Sequence, residues 1–443
     1  MKLSKYNFII ERDNCLLLYN CLSEKLTLLQ PELYVLLMKE DIETLRVKHP
    51  TFYEYLKSEA YIVSKDKDEY ANLIDFWKQF DCSETSFSVF VNPTLDCNMR
   101  CWYCYEKHNV QTSMSKNVFD AILKLFQTKA ENKNLRYLNL GFFGGEPLME
   151  FDRIVMPLIK QVETLCMQHD KLLGVSFVTN ASLLTDERIE QLSNIKVDSP
   201  IAFQISIDGD RRYHNATKKA EQIQDSYGHT LHVIKQIVYH DMYVTIRFNA
   251  THYNIKSYYN TFADFDEIAK DKRKYVKFDI QHVWQDINCD QKIFRQHQME
   301  LRKALVDRGF SVSELKSIDP SRCYADRDNH VVVNYNGDLF KCTARDFAES
   351  NKEGILTEGG IVKWNEKFEK RKELRYGNDA CKVCRIFPLC HGSCSQLKIE
   401  NQDKNECIFG YSTKSKIEKI ENRVDFLLES ILKINENEKE FKS

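Results

Sequence analysis

The sequence has no excess of charge of either sign: its 63 basic and 65 acidic residues are mixed along the chain and leave a net charge of −2. No global field favours nucleic acid or an anionic membrane, so neither partner is expected. Long apolar runs are missing too, and no stretch approaches a membrane span. Met1 to Tyr6 is followed by Glu11, Arg12 and Asp13 before any apolar stretch long enough for a signal peptide. A cytoplasmic location is therefore expected. Apolar and charged fractions of 43% and 29% exclude a disordered chain. The 443 residues leave room for about two or three domains.

Cysteine is abundant, with fifteen residues, but unevenly placed. In a large chain from a reducing compartment such clusters mark metal or redox sites more often than disulfides. Ten lie in two fields: Cys97, Cys101 and Cys104, then Cys323, Cys342, Cys381, Cys384, Cys390, Cys394 and Cys407. The other five, Cys15, Cys21, Cys82, Cys166 and Cys289, are scattered and read as packing residues. The first field, Cys97-Asn98-Met99-Arg100-Cys101-Trp102-Tyr103-Cys104, puts three thiols on one loop after the apolar run Phe87 to Val91. Three thiolates hold three irons of a 4Fe-4S cluster and leave the fourth iron open to chemistry. The alternatives are a zinc site or incidental thiols, although a closed zinc site wants a fourth ligand.

Residues 1 to 80 read as a small separate module. Tyr6 to Ile10, Cys15 to Tyr19 and Lys25 to Leu29 are strand-like, and Pro31 fits the first turn of a helix carrying Leu33, Val35, Leu36 and Leu37. From 86 to about 310 apolar strand-like runs alternate with amphipathic helical stretches. The strands are Phe87 to Val91, Leu135 to Phe143, Val175 to Thr179, Ile201 to Ile207, Tyr243 to Ala250 and Tyr275 to Val283. Six βα units imply a parallel sheet curled into a partial barrel, with active-site groups at the carboxyl ends of the strands. Gly144-Gly145-Glu146-Pro147 follows the second strand, where two glycines permit close backbone approach and a carboxylate is expected at the mouth. Asn180 follows the third strand, and Ser206 and Asp208 mark the end of the fourth. Arg247 and Asn249 share one face of the fifth by their period of two.

In the last third, Cys323 precedes a hairpin, Val331 to Phe340 with Asn336-Gly337 in its turn, and Cys342 follows it. Then come Cys381-x2-Cys384-x5-Cys390-x3-Cys394 and Cys407, with only the 381/384 pair spaced as in a zinc ribbon. Lys414 to Leu432 is an amphipathic helix with Ile417, Ile420, Val424, Leu427, Leu428 and Ile431 inward, and Asn435 to Ser443 is a charged, frayed end.

The C-x3-C-x2-C loop, the Gly-Gly-Glu-Pro segment and the seven distal cysteines together resemble radical S-adenosylmethionine (SAM) enzymes carrying a SPASM domain. The type is the peptide (RiPP precursor) maturases, which are related to anaerobic sulfatase maturases. The resemblance covers about residues 86 to 410. It implies an α/β fold: a partial (β/α)6 TIM-like radical SAM barrel over 86–310 and an iron–sulfur SPASM domain over 320–410, followed by a C-terminal helix and tail over 411–443. Residues 1–80 then resemble a winged-helix-like module that captures a leader peptide by strand addition, a capping role being the alternative.

The resemblance also implies roles for individual residues. The open iron binds SAM, Gly144, Gly145, Glu146 and Pro147 receive its methionine amino group, and Tyr103 stands beside its adenine. Asn180, Ser206 and Asp208 surround the ribose and carboxylate, with Ser206 the direct contact and Asp208 either a contact or a cap of the next turn. Where relatives place an Arg for the SAM carboxylate, this chain offers Lys218 or Lys219, or Arg211 or Arg212, and Lys lacks the bidentate fork. Arg247 lines the cavity or a solvated strand end. Cys381, Cys384, Cys390 and Cys407 would hold an outer auxiliary cluster, and Cys323, Cys342 and Cys394 an inner one, giving three 4Fe-4S clusters in all. No thiol lies between Cys323 and His330, so the inner cluster has an open iron or a ligand such as Asp326, Asp328 or His330.

The implied reaction is reductive cleavage of SAM to a 5′-deoxyadenosyl radical that abstracts hydrogen from a precursor peptide, with the auxiliary clusters accepting the second electron of an oxidative crosslink. The partners implied are that precursor and an external electron donor such as flavodoxin or ferredoxin. One alternative is a sulfatase-maturating enzyme forming formylglycine; those relatives carry an Asp where this chain has Thr343. Another is a non-catalytic iron–sulfur electron-transfer protein, which would need neither Gly144 to Pro147 nor Ser206. No general base is identified from the sequence.

Overall fold

The structure, a computed structural model, describes residues 1–440 except 13, 40, 222, 314–321 and 402–404, with side chains to residue 428. The chain divides into two compact units. One joins Met1–Cys82 with Lys316–Arg327 and Lys370–Ser443, and the other joins Ser83–Leu315 with Asp328–Glu369. The 320–410 stretch is thus shared between them.

In the first unit β1 (Lys2–Leu3), β2 (Asn7–Arg12), β3 (Cys15–Asn20), β4 (Lys25–Leu29) and β5 (Ile62–Val63) make two antiparallel sheets, β2-β3-β4 and β1-β5. Pro31 opens the helix Pro31–Met38 at its first position, where its missing N–H costs nothing. Asp68 caps the helix Glu69–Asp81 by accepting from the backbone of Tyr70 and Ala71. Tyr6, Phe8, Tyr19, Ile74 and Trp77 share a core with Ile386, Phe387, Leu389, Ile420 and Val424. The amino-terminal module is therefore built together with the last seventy-odd residues of the chain, from Lys370 on. The final helix, Thr413–Glu440, buries Ile420 and Val424 and half-buries Leu427 and Leu428, but Ile417 is exposed, contrary to its expected inward face. It is the fifth residue of the helix, ahead of the first buried position, Ile420. Ile431 and the side chains from Asn435 onward lie outside the described ones.

The second unit contains β6 (Ser86–Asn92), β7 (Tyr137–Phe142), β8 (Leu172–Thr179), β9 (Ala202–Ile207), β10 (Tyr243–Ala250) and β11 (Val276–His282), parallel and adjacent in chain order. The expected strands are present, with ends shifted by up to three residues. The sheet also continues past them. β12 (Ser311–Val312) adds to β11, and β13 (His330–Asn334) runs parallel to β6, followed by antiparallel β14 (Asp338–Phe340), β15 (Gly354–Leu356) and β16 (Val362–Trp364). The hairpin expected in the cysteine-rich third is thus an extension of the same sheet.

The two faces of this sheet differ in chemistry. Val89, Leu140, Phe177, Ile205 and Ile246 are buried in the main core, with residues of the intervening helices such as Ile122, Ile159 and Ile234. On the opposite face lie the half-exposed Ser88, Asn139, Ser176, Gln204, Ser206, Arg247, Asn249 and Asp279, with Ser88 beside Asn139 and Ser206, Arg247 and Asp279 in successive register. A parallel sheet packed on both faces has nearly continuous apolar strands. Alternation here leaves one face polar, suited to a polar ligand rather than to a second apolar layer.

Candidate functional site

The loop that leaves β6 carries Cys97, Cys101 and Cys104. Cys97 is buried and the other two are half-buried. The loop is fastened to the end of β7: Gly145 N donates to Thr94 O at 3.3 Å, and Glu146 N to Asp96 O at 2.8 Å. A Cβ on Gly145 would lie 2.0 Å from Asp96 O, and one on Gly144, whose φ is +101°, would lie 2.6 Å from Thr94 O. The close approach that needs the glycine pair is therefore to the cysteine loop. Glu146 does not stand at the mouth. It is fully buried and accepts from Leu148 N at 3.0 Å, Thr179 Oγ1 at 2.7 Å and Asn180 N at 2.8 Å. Burial raises its carboxyl above the usual range despite those donors. Pro147, also buried, opens the short 3-10 turn Pro147–Glu150. Asn180, placed by Glu146, donates to Asn98 Oδ1 at 2.9 Å and approaches Cys97 Sγ at 3.7 Å.

Burial pushes the Cys97 thiol up to about 12, with Glu146 adding to the effect, and burial also raises Cys104. The protein alone thus stabilises no thiolate at these two positions. Such thiols suit a site where a bound metal centre supplies the positive charge, rather than a free nucleophile. This donor set fits the iron–sulfur cluster that the spacing implies. Glu106, two residues after Cys104, has its carboxyl pushed up to about 8 by burial, and its Oε2 has no hydrogen-bond partner among the described residues.

Tyr103 connects this loop to the sheet. Its hydroxyl donates to Asp208 Oδ1 at 2.8 Å, and Asn249 Nδ2 donates to both, at 3.0 and 3.2 Å. Asp208 is buried, and its Oδ2 has no hydrogen-bond partner among the described residues. Lys218 caps the helix Arg211–Thr217 and is buried 5.7 Å from the Tyr103 ring centre. Burial opposes its charge, but Tyr103, Asp208 and Cys101 outweigh that and hold the ammonium above its ordinary range. Lys219, Arg211 and Arg212 are exposed, and Arg211 is paired with Asp225, so of the four cations Lys218 is the one in the site. Ser206 faces Arg247 in register, and Arg247 reaches Asn249 Oδ1 at 3.3 Å and Asp279 Oδ2 at 3.8 Å. Asp208, Asn249, Tyr103 and Lys218 form one polar group beside the thiols, able to receive the amino, carboxylate and hydroxyl groups of a zwitterionic ligand.

Residues with no sequence signal complete the site. Gln285 donates to Tyr103 O at 2.7 Å from the loop after β11. In the same loop Asp286 accepts from His252 N at 2.8 Å, lies 2.5 Å from His252 Nδ1 and 3.2 Å from His282 Nε2, and forms a cluster with Cys289. Burial works against its charge, but the hydrogen bonds from both histidines lower its carboxyl. Cys289, expected as packing, is half-buried beside this brace. Tyr105, next to Cys104, donates to Thr343 O at 2.7 Å, next to Cys342, and the Phe143 and Phe347 rings meet at 6.0 Å.

In the other unit Cys381, Cys384, Cys390 and Cys407 line one cavity with Ile386, Phe387 and Tyr411. Asn378 caps the turn that starts the group by accepting from Cys381 N. His391, Gly392 and Ser393 all have positive φ, at 55°, 70° and 83°. A Cβ on Gly392 would lie 2.9 Å from Cys381 Sγ. Backbone N–H groups of 392 and 393 face Cys390, whose thiol burial nevertheless pushes up to about 11. Successive N–H groups in such a turn make an anion-binding concavity of the kind that holds iron–sulfur centres, and the four thiols around one cavity fit such a group.

Residues 91–237 match the Radical SAM superfamily model. The chain is 24% identical over 330 residues to the radical SAM cyclopropyl synthase TigE of Paramaledivibacter caminithermalis, covering 67% of this chain and 65% of that protein. It therefore spans just under two thirds of that relative's length. Among solved structures it resembles anSMEcpe with bound AdoMet and Kp18Cys peptide (TM-score 0.59, 17% identity, 80% of this chain and 99% of that one). It also resembles Streptococcus suis SuiB (TM-score 0.52, 15% identity, 92% and 98%). Among the described residues no helix is long and apolar enough to cross a membrane.

Proposed function

We propose that the radical SAM domain at residues 91–237 drives a peptide maturase, which oxidatively crosslinks a ribosomally made precursor, and that the distal cysteines hold two auxiliary 4Fe-4S clusters. One observation carries this reading: the polar group of Asp208 and Lys218, which a bare electron-transfer protein would not need, meets Tyr103 of the cysteine loop, which Tyr105 ties to Thr343 beside Cys342. When bound at Cys97, Cys101 and Cys104, a cluster together with SAM supplies the one-electron cleavage that yields a 5′-deoxyadenosyl radical.

The residues of the chain then have separate tasks. Glu146 holds Asn180 and the Gly144-Gly145 turn against the cysteine loop, fixing where the SAM amino group sits. Lys218 offers a charge to the SAM carboxylate, and Ser206, Asp208 and Asn249 orient its polar groups beside Tyr103. Arg247 and Asp279 line the polar face on which the peptide lies.

SuiB has been seen bound to a precursor peptide, SuiA, and anSMEcpe to a peptide, which supports a peptide substrate here. The β2-β3-β4 sheet followed by helices supports a winged-helix-like leader module over 1–80, binding by strand addition. An external flavodoxin or ferredoxin would supply the first electron.

The test uses reduced, anaerobically reconstituted protein with SAM and the peptide encoded beside its gene. Release of 5′-deoxyadenosine and a product lighter by two hydrogens are expected. Absence of SAM cleavage under competent reduction overturns the reading, and an aldehyde in place of a Cys side chain replaces it with sulfatase maturation.

A further inference from the structure

The sequence leaves the inner auxiliary cluster one thiol short and treats Cys82 as packing. The structure contradicts the second point. Cys82 ends the helix Glu69–Asp81 and is exposed, as is Cys323. Cys15 is exposed as well, whereas Cys21 and Cys166 are buried as expected. What distinguishes Cys82 from Cys15 is its surroundings.

A buried ion pair joins the chain neighbours of Cys82 and Cys323. Arg322 Nε lies 3.1 Å from Asp81 Oδ1 and 3.0 Å from Oδ2, and its Nη2 lies 2.6 Å from Oδ2. Trp77 and Tyr376 cover the guanidinium, with ring centres 4.8 and 5.0 Å away. A second arginine repeats the pattern. Arg375 donates to Asp326 O at 2.7 Å, in the turn that follows Cys323, and its Nη2 is 4.0 Å from Cys82 Sγ. The segment carrying Arg375 also holds the turn of Cys394, because Arg371 donates to Ser395 Oγ at 2.7 Å and Lys398 to Leu374 O at 2.8 Å. Residues 371–375 therefore contact Cys82 and the turns that follow Cys323 and Cys394.

The same place is incomplete as protein alone. The Arg322 side chain is 7% exposed and that of Asp326 6%, yet Arg322 Nη1 and Asp326 Oδ1 have no hydrogen-bond partner among the described residues. A buried guanidinium N–H without an acceptor is costly, and cluster sulfides and thiolates are acceptors. We propose that Cys82 supplies the fourth thiolate of the inner auxiliary cluster, the one ligated by Cys323 and Cys394. The proposal rests on the reading that the distal field holds two clusters. It makes the inner cluster a closed electron acceptor, not a site where the peptide's thiol binds iron.

The test starts from the full-length Cys97→Ala/Cys101→Ala/Cys104→Ala protein, which should retain about eight irons in two auxiliary clusters. A cluster with an unprotected iron sheds it on mild oxidation and shows the EPR signal of a 3Fe-4S centre. The parent should give no such signal. Adding Cys82→Ala should bring it to about one spin per chain, while Cys82→Ser keeps the iron and alters the spectrum of the reduced cluster. Cys15→Ala, a second exposed cysteine of the same unit, should change nothing. A 3Fe-4S signal already present in the parent, or no change with either Cys82 variant, overturns the assignment. A parent that holds no iron overturns the two-cluster reading instead.

Discussion

The two cysteine fields are assembled in opposite ways. Cys97, Cys101 and Cys104 sit on one loop within eight residues, and their supports, Gly145, Glu146 and Asn180, lie at the ends of the next two strands. The distal field is spread over segments of the last third, and the one carrying Cys323 is held to a helix far away in sequence by a buried arginine, Arg322 on Asp81. A site carried by a single loop depends on how neighbouring loops pack against it. A site drawn from several segments depends on the ion pairs that gather them, and its members cannot be counted along the chain.

The largest expected effect separates the fields by chemistry. Cys97→Ala should abolish 5′-deoxyadenosine release, a loss of at least about a hundredfold, and lower iron from about twelve to about eight per chain. Cys381→Ala should lose a similar amount of iron and all peptide modification but keep SAM cleavage. Equal loss of SAM cleavage in both variants would dissolve the distinction.

The glycines test how each field is packed. An added Cβ would lie 2.0 Å from Asp96 O at Gly145 and 2.9 Å from Cys381 Sγ at Gly392. Gly145→Ala and Gly392→Ala should each destabilise the protein by about 2–3 kcal/mol, seen as lower midpoints in denaturant. Only Gly145→Ala should reduce SAM cleavage, and only Gly392→Ala should reduce outer-cluster iron. Unchanged midpoints would show that the loops give way more easily than their contacts suggest.

The smallest effect belongs to the first site alone. His214 is buried under Asp208, accepting from Asp208 N at 3.4 Å, and burial lowers its pKa to about 4 from 6.5. A folded-state pKa below the unfolded one means that the neutral ring is favoured in the native state. Its contribution is complete above pH 6.5 and is lost as pH falls towards 4. Between pH 6.5 and 5 the wild type should lose about 2 kcal/mol through this group, and a His214→Gln protein should lack that component. Parallel unfolding curves at the two pH values check it, and identical pH dependence in both proteins would remove His214 as the cause.

Legibility in the sequence followed the range of the interactions. The six parallel strands were readable because apolar residues recur with a period of two and turn residues bound them. The glycine pair was readable as a close approach, but what it approaches was not, since the partner, Asp96, lies on another loop. Glu146 looked like a mouth residue because a carboxylate after a strand usually meets solvent; three donors from two loops explain why it is buried. Gln285 carried no signal at all, and nothing set Cys82 apart from the other scattered cysteines, because their contacts are with residues far away in sequence.

The sequence by itself determined the alternating strands and helices, the loop of three thiols and the five cysteines from 381 onward, since each depends on spacing within a short stretch. The tertiary structure alone decided which cation of the four enters the site, that the hairpin after Cys323 extends the main sheet, that the last part of the chain shares its core with the amino-terminal module, and where Cys82 stands. Those outcomes depend on packing and buried charge pairing between distant segments, which local periodicity does not encode.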